Sequence, residues 1–241
     1  MSAPAFLAFG PAHLAALVFI TALAVAMIAV ARSGRWPRLV RAQEWVLVVL
    51  LLMSWPADWL AGRSIGHVTW EEILPLHLCD LASFAGAAAL IWHHRLAAEL
   101  TYFWAMTGTF NGLITPTVQF DFPHPAYFAF FLLHGTVVAT AAYLVAGRHF
   151  WPRPGAVRRA VVASLAYLVV ISAVNFLLGT NFAFVREKPE SASLLDALGE
   201  WPWYVLALIP IGTIYFFILY LPFWFLRRLE RMPGSGRPRP A

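Results

Sequence analysis

Seven long apolar runs, joined by short polar connections, fill most of this 241-residue chain. They predict helices over about 12–31, 43–61, 73–92, 98–116, 125–147, 158–178 and 202–226. Each run approaches the roughly 20 residues that a helix needs to cross a hydrocarbon core. A helix also satisfies its own backbone hydrogen bonds, as lipid requires. The expected fold is an all-α membrane protein, a seven-transmembrane helix bundle forming one membrane domain over 1–231. The tail 232–241 (MPGSGRPRPA) is basic and rich in Pro and Gly, a composition expected to be disordered. The first run is expected to be retained rather than cleaved. From His13 to Ala31 it is too long for a leader's apolar segment, and its arginines follow it instead of preceding it. No internal repeat is evident.

Composition supports the bilayer as solvent. The chain is 61% hydrophobic and 12% charged, against about 25% charged in soluble domains. Charge placement then gives an orientation. Connections after the first, third and fifth runs, together with the C-terminal tail, hold fourteen of the seventeen Arg and Lys residues; the opposite side holds Arg63, Arg186 and Lys188. Basic connections stay cytoplasmic, so the N-terminus is expected outside and the C-terminus inside, in the cell's inner membrane. Membrane phospholipids are the expected partners. Nucleic acid is excluded, because no basic stripe lies on a folded soluble surface.

Polar residues within the runs gather toward the outer face. The sharpest cluster is Leu74-Pro75-Leu76-His77-Leu78-Cys79-Asp80, which holds the chain's one cysteine. On a regular helix His77, Cys79 and Asp80 would lie roughly 6–11 Å below the start of the third run, with His77 and Asp80 on one face. Asn111, His134 and Asn175 come to the same layer from other runs and Asn181 from the loop after the sixth, and Trp203 and Tyr204 stand at the start of the last. The inner halves read as nearly free of such groups. Interhelical hydrogen bonding is one account of the layer, and a water-accessible outward cavity is the other.

The chemistry available to that layer is nucleophilic. Cys79 would need an imidazole to take its proton; His134 is the better-placed candidate and His77 the second. Asp80 would orient a histidine, and Asn111, Asn175 or Asn181 would donate to an oxyanion. Arg186 suits either a phosphate headgroup or plain solvation. Trp203 and Tyr204 suit either the interfacial aromatic belt or a cavity mouth. Gly108 and Gly112 form a GxxxG expected to allow close helix packing. No metal motif of the HExxH type occurs, a lone cysteine gives no thiol-rich metal site, and no cofactor is expected.

LPLHLCD (74–80), FLLHG (131–135), LLGTNF (177–182) and SLLDALGEWPWY (193–204) resemble the YwaF-like bacterial membrane proteins, in order from Trp55 to Pro222. That family is related to the vertebrate transmembrane protein 164 group. The vertebrate relatives are similar to acyltransferases that move a fatty acyl chain between phospholipids without coenzyme A, using a cysteine. The resemblance implies Cys79 as nucleophile and His134 or His77 as base. Phe182 stands where many bacterial members carry Tyr after GTN. The expected function is thus a phospholipid acyltransferase or transacylase with a cysteine nucleophile in an outward cavity. The alternatives are a small-molecule or ion transporter using the same His/Asp/Asn cavity, and a receptor-like or structural bundle.

Overall fold

The computed structural model describes residues 4–65, 69–189 and 194–230. The tail expected to be disordered lies outside the described residues. Within them the chain is helical, with one isolated bridge between Ala5 and Phe120. Helix α1 spans Pro11–Ser33, α2 Pro37–Ile65, the short α3 Trp70–Ile73 and α4 Leu78–Trp92. Helix α5 (Arg95–Trp104) runs through a π-helical turn, Ala105–Thr109, into α6 (Phe110–Ile114). Helix α7 (Pro125–Ala142) ends in a second π turn, Tyr143–Gly147; α8 spans Ala156–Leu178 and α9 Trp203–Glu230.

Five helices among the described residues are long and apolar enough to cross a membrane: Pro11–Ser33, Pro37–Arg63, Pro125–Gly147, Ala156–Leu178 and Trp203–Glu230. Helix α4 is shorter, and the α5–α6 rod carries Arg95 and Glu99. Local sequence sets the ends. Pro11 opens α1 and Gly34 closes it at φ 64, a left-handed conformation that costs glycine little. His124 caps α7, its Nδ1 accepting from the Ala126 N–H at 3.1 Å.

The third run departs from expectation. A continuous helix over 73–92 would begin before Pro75, but α3 stops at Ile73 and α4 starts at Leu78. Proline disfavours helical backbone at the residue before it, here Leu74. The backbone turns instead, with the Leu76 N–H donating to the Leu74 carbonyl at 2.8 Å. His77 therefore lies outside the helix as its N-cap, not on a helical face with Asp80.

Helix α7 is the most enclosed of the long helices, packing against α1, α2, α4 and the α5–α6 rod. The main core centres on Phe103, Val137, Tyr143 and Leu144. Helices α1, α8 and α9 turn broad apolar faces outward, including Val18, Phe19, Val169, Phe217 and Ile218. Contacts put the start of α4, the end of α6, the start of α7 and the 179–189 connection at one end of the bundle. The starts of α2, α5 and α8 lie at the other.

Candidate functional site

Helix α4 begins with His77 as N-cap, Cys79 in its first turn and Asp80 at the third position. Asp80 is buried, and its Oδ2 accepts from the His77 N–H at 3.0 Å. The carboxylate thus satisfies a backbone donor at the helix start. The His77 ring meets Phe182 edge-on at 5.2 Å between centroids, and its Nδ1 accepts from the Ala183 N–H at 3.4 Å. A ring nitrogen that accepts carries no proton, so the neutral ring holds its N–H at Nε2. Cys79 is half-buried at the edge of the main core. Asp80, Asp58 and Tyr167 lie within electrostatic range of it. The Tyr167 hydroxyl donates to the Leu76 carbonyl at 2.8 Å, fixing the turn that leads to His77.

His134 reaches this region from α7. Its Nδ1 lies 3.0 Å from the Phe130 carbonyl, and its ring stacks on Phe130 at 4.0 Å. A carbonyl only accepts, so Nδ1 bears the proton and Nε2 keeps a free lone pair. The far side of the ring presses on Gly112. A Cβ there would fall 2.8 Å from His134 Cδ2 and 3.1 Å from Nε2. One turn earlier, a Cβ at Gly108 would meet Leu78 Cδ2 at 3.7 Å. The GxxxG face expected to allow close packing thus receives the first residue of α4 at one glycine and the His134 imidazole at the other. His77 lies within electrostatic range of His134. Among the described residues no hydrogen bond joins Cys79 to either ring. Asn111, beside Gly112, donates from Nδ2 to the Thr107 carbonyl at 2.8 Å.

The other polar candidates build the connection over His77. Asn175 is fully buried; its Nδ2 donates to the Phe182 carbonyl at 3.0 Å, and its Oδ1 accepts from Thr180 Oγ1 at 2.9 Å and the Phe182 N–H at 2.8 Å. Asn181 Oδ1 accepts from the Arg186 and Glu187 N–H groups, and its own N–H donates to Glu71 on α3. Arg186 is exposed, its Nη1 donating to the Asn175 and Thr180 carbonyls at 3.2 and 3.3 Å. Tyr204 is buried, unlike a belt residue, and its hydroxyl donates to the Phe184 carbonyl at 2.7 Å. Trp203 faces outward and is 68% exposed. The structure brings His77, Cys79 and Asp80 together and sets His134 against the glycine face, with Asn111 bonded to Thr107 on its own helix. Asn175, Asn181 and Tyr204 act in the connection itself.

The opposite end corrects the expectation of nearly apolar inner halves. Glu99 is buried and holds two arginines. Arg153 Nε bonds Oε1 at 2.9 Å, Arg159 Nε bonds Oε2 at 2.8 Å, and the Arg153 N–H adds a bond at 3.0 Å. Arg227 joins the cluster through the Pro152 carbonyl. The signal for Glu99 was available, since a carboxylate within an apolar run needs a partner. Buried His13 was also missed: Nδ1 accepts from the Phe9 N–H at 2.9 Å and Nε2 donates to the Leu113 carbonyl at 2.8 Å. Both its nitrogens are engaged, so it ties α1 to the end of α6. Among the described residues no cluster of three or more His, Cys, Asp or Glu side chains is arranged to hold a metal ion.

Comparison with known proteins matches residues 8–220 to the model of the TMEM164 family. The chain is also 26% identical over 225 residues to an uncharacterized protein of Treponema pallidum (strain Nichols), the match covering 90% of each chain. No solved structure matches.

Proposed function

The chain belongs to the TMEM164 family, and from that premise we propose that it is a membrane phospholipid acyltransferase or transacylase with Cys79 as nucleophile. Cys79 Sγ attacks the carbonyl carbon of a phospholipid ester; a C–S bond forms, and the C–O bond to glycerol breaks. His134 Nε2 takes the thiol proton and passes it to the departing glycerol oxygen. The second half reverses the roles. His134 takes the proton of an acceptor hydroxyl, whose oxygen attacks the thioester, and the thiol leaves with a proton. The reaction needs no cofactor.

The observation that carries this reading is the pairing of tautomers. His134 holds its proton at Nδ1 against the Phe130 carbonyl, leaving Nε2 as a base. His77, accepting at Nδ1, presents an N–H donor at Nε2 suited to a developing oxyanion, with Asn111 as a further donor. Helix dipoles favour negative charge at N-termini, where Cys79 stands. Asp80, Asn175, Asn181 and Tyr204 serve by holding the turn and the connection around these groups.

The reading extends to topology. With α4 and the α5–α6 rod as further spans, the bundle has seven. The arginine asymmetry then puts the Cys79 end outside, at the level of lipid esters in the outer leaflet of the inner membrane. A transporter would need a polar route through the other half, where Glu99 is closed by arginines and Phe103 and Leu144 are fully buried.

The test reconstitutes the protein in liposomes with an acyl-labelled phosphatidylcholine donor and a lysophospholipid acceptor. Wild type should move label to the acceptor, and its intact mass should show an acyl adduct at Cys79. Cys79→Ala should fold and lose both. Full transfer by that variant would remove the proposed chemistry.

A further inference from the structure

A groove of about 330 Å³ opens between α8 and α9, next to the connection that covers His77. Its walls are Phe176, Val185, Val205 and Leu206, with Trp201 and Arg186 at its rim. Phe176 and Leu206 are exposed on helices apolar enough to span a membrane, so the groove opens sideways toward lipid rather than water. Two of its walls continue inward. Val185 and Val205 belong to an apolar cluster with Phe182, Leu74 and Leu76, and Phe182 is the ring that meets His77 edge-on. The same cluster reaches Leu74 and Leu76, in the turn that leads to α4.

Arg186 decides what the groove takes. Its Nη1 is engaged with two carbonyls at the end of α8, which fixes the guanidinium at the rim. Five N–H donors belong to a guanidinium, and those on Nε and Nη2 make no hydrogen bond among the described residues. A planar cation fixed above an apolar slot matches a phosphate above an acyl chain. Trp201 marks the depth. It donates through Nε1 to the Val185 carbonyl at 3.2 Å while 62% exposed, as an interfacial indole does. The volume lies at the low end of ligand pockets, roughly 300–1,000 Å³, which suits part of one chain rather than a whole lipid.

We infer that this groove is a lateral docking site for a glycerophospholipid, with its phosphate on Arg186 and the upper part of one acyl chain between α8 and α9. The docking stands on the groove and the arginine alone; its use as the entry to Cys79 rests on the proposed acyl transfer. The head is a phosphate diester of the bilayer, not free phosphate, because free phosphate gains nothing from the apolar walls.

The experiment uses the full chain in nanodiscs of phosphatidylcholine doped with a diazirine-acyl phosphatidylcholine or, in parallel, a diacylglycerol bearing the same diazirine chain. Label is mapped by peptide mass spectrometry. Wild type should concentrate label on the 172–185 and 201–206 segments and prefer the phospholipid over the diacylglycerol by roughly tenfold, as expected for a charge-assisted contact. Arg186→Gln should erase that preference, Arg186→Lys should restore part of it, and Leu206→Trp should lower labelling by both probes. Cys79→Ala should label as wild type does, so loss of acyl transfer with intact labelling strikes the chemistry and leaves the dock. Label spread evenly over α1, α2 and the groove, or a phospholipid preference unchanged in Arg186→Gln, would overturn the inference.

Discussion

The two ends of this bundle treat buried polarity in opposite ways. At the Glu99 end, opposite charges meet: one carboxylate holds two guanidinium groups and a backbone N–H. At the His77 end, polar side chains meet backbone groups and rings instead, as with Asp80 on the His77 N–H, His134 on the Phe130 carbonyl and Asn175 on Phe182. Ion pairs this close fix elements together but leave no group free to exchange a proton. Imidazoles bonded through one nitrogen, as in His77 and His134, keep the other available. The difference separates a fastening from a cluster that keeps a nitrogen free to exchange a proton.

Five substitutions sharpen or break that contrast. The largest effect belongs to Cys79→Ala, which should cut acyl transfer on the order of a thousandfold or more while leaving thermal unfolding in detergent unchanged. Glu99→Gln should do the reverse. It should destabilise by about 2–3 kcal/mol in reversible unfolding, with transfer per folded molecule preserved, because a buried charge cluster loses its anion while the arginines are partly open to solvent. Equal losses of activity from both changes would erase the distinction between the ends. Next comes a matched pair on the glycine face. A Cβ at Gly112 must displace the His134 ring, so Gly112→Ala should lower transfer roughly tenfold at a stability cost of about 1–2 kcal/mol. Gly108→Ala meets only ordinary contact and should be near neutral in both assays. The smallest measurable loss is that of Tyr204→Phe, which removes the bond to the Phe184 carbonyl and should cost about 1 kcal/mol by the same unfolding measurement.

Hydropathy made the long helices legible. The expected 125–147 coincides with the Pro125–Gly147 span, and 158–178 falls two residues short of Ala156 at its start. The 73–92 run misled because its apolar residues continue across Pro75, where backbone geometry rather than hydrophobicity ends the helix. The cluster at 74–80 was visible as costly polarity in an apolar run, but the turn that frees His77 from the helix was not. Partners far along the chain stayed hidden for a common reason. His13 bonds a backbone carbonyl 100 residues away and Glu99 its first arginine 54 residues away, and neither spacing leaves a periodic trace. Asn175 was noticed as polar, yet its engagement by Thr180 and Phe182 needs the connection to fold before it can be seen.

The Glu99 cluster also bears on biogenesis. Glu99 leaves the ribosome 54 residues ahead of Arg153 and 60 ahead of Arg159. At roughly 5–20 residues per second, several seconds pass during which this carboxylate enters the insertion machinery without its counterions. The α5–α6 rod therefore gains the partners of its buried carboxylate only when Arg153 and Arg159 arrive. Stalled or truncated chains ending before residue 153 should be the ones that quality-control proteases remove.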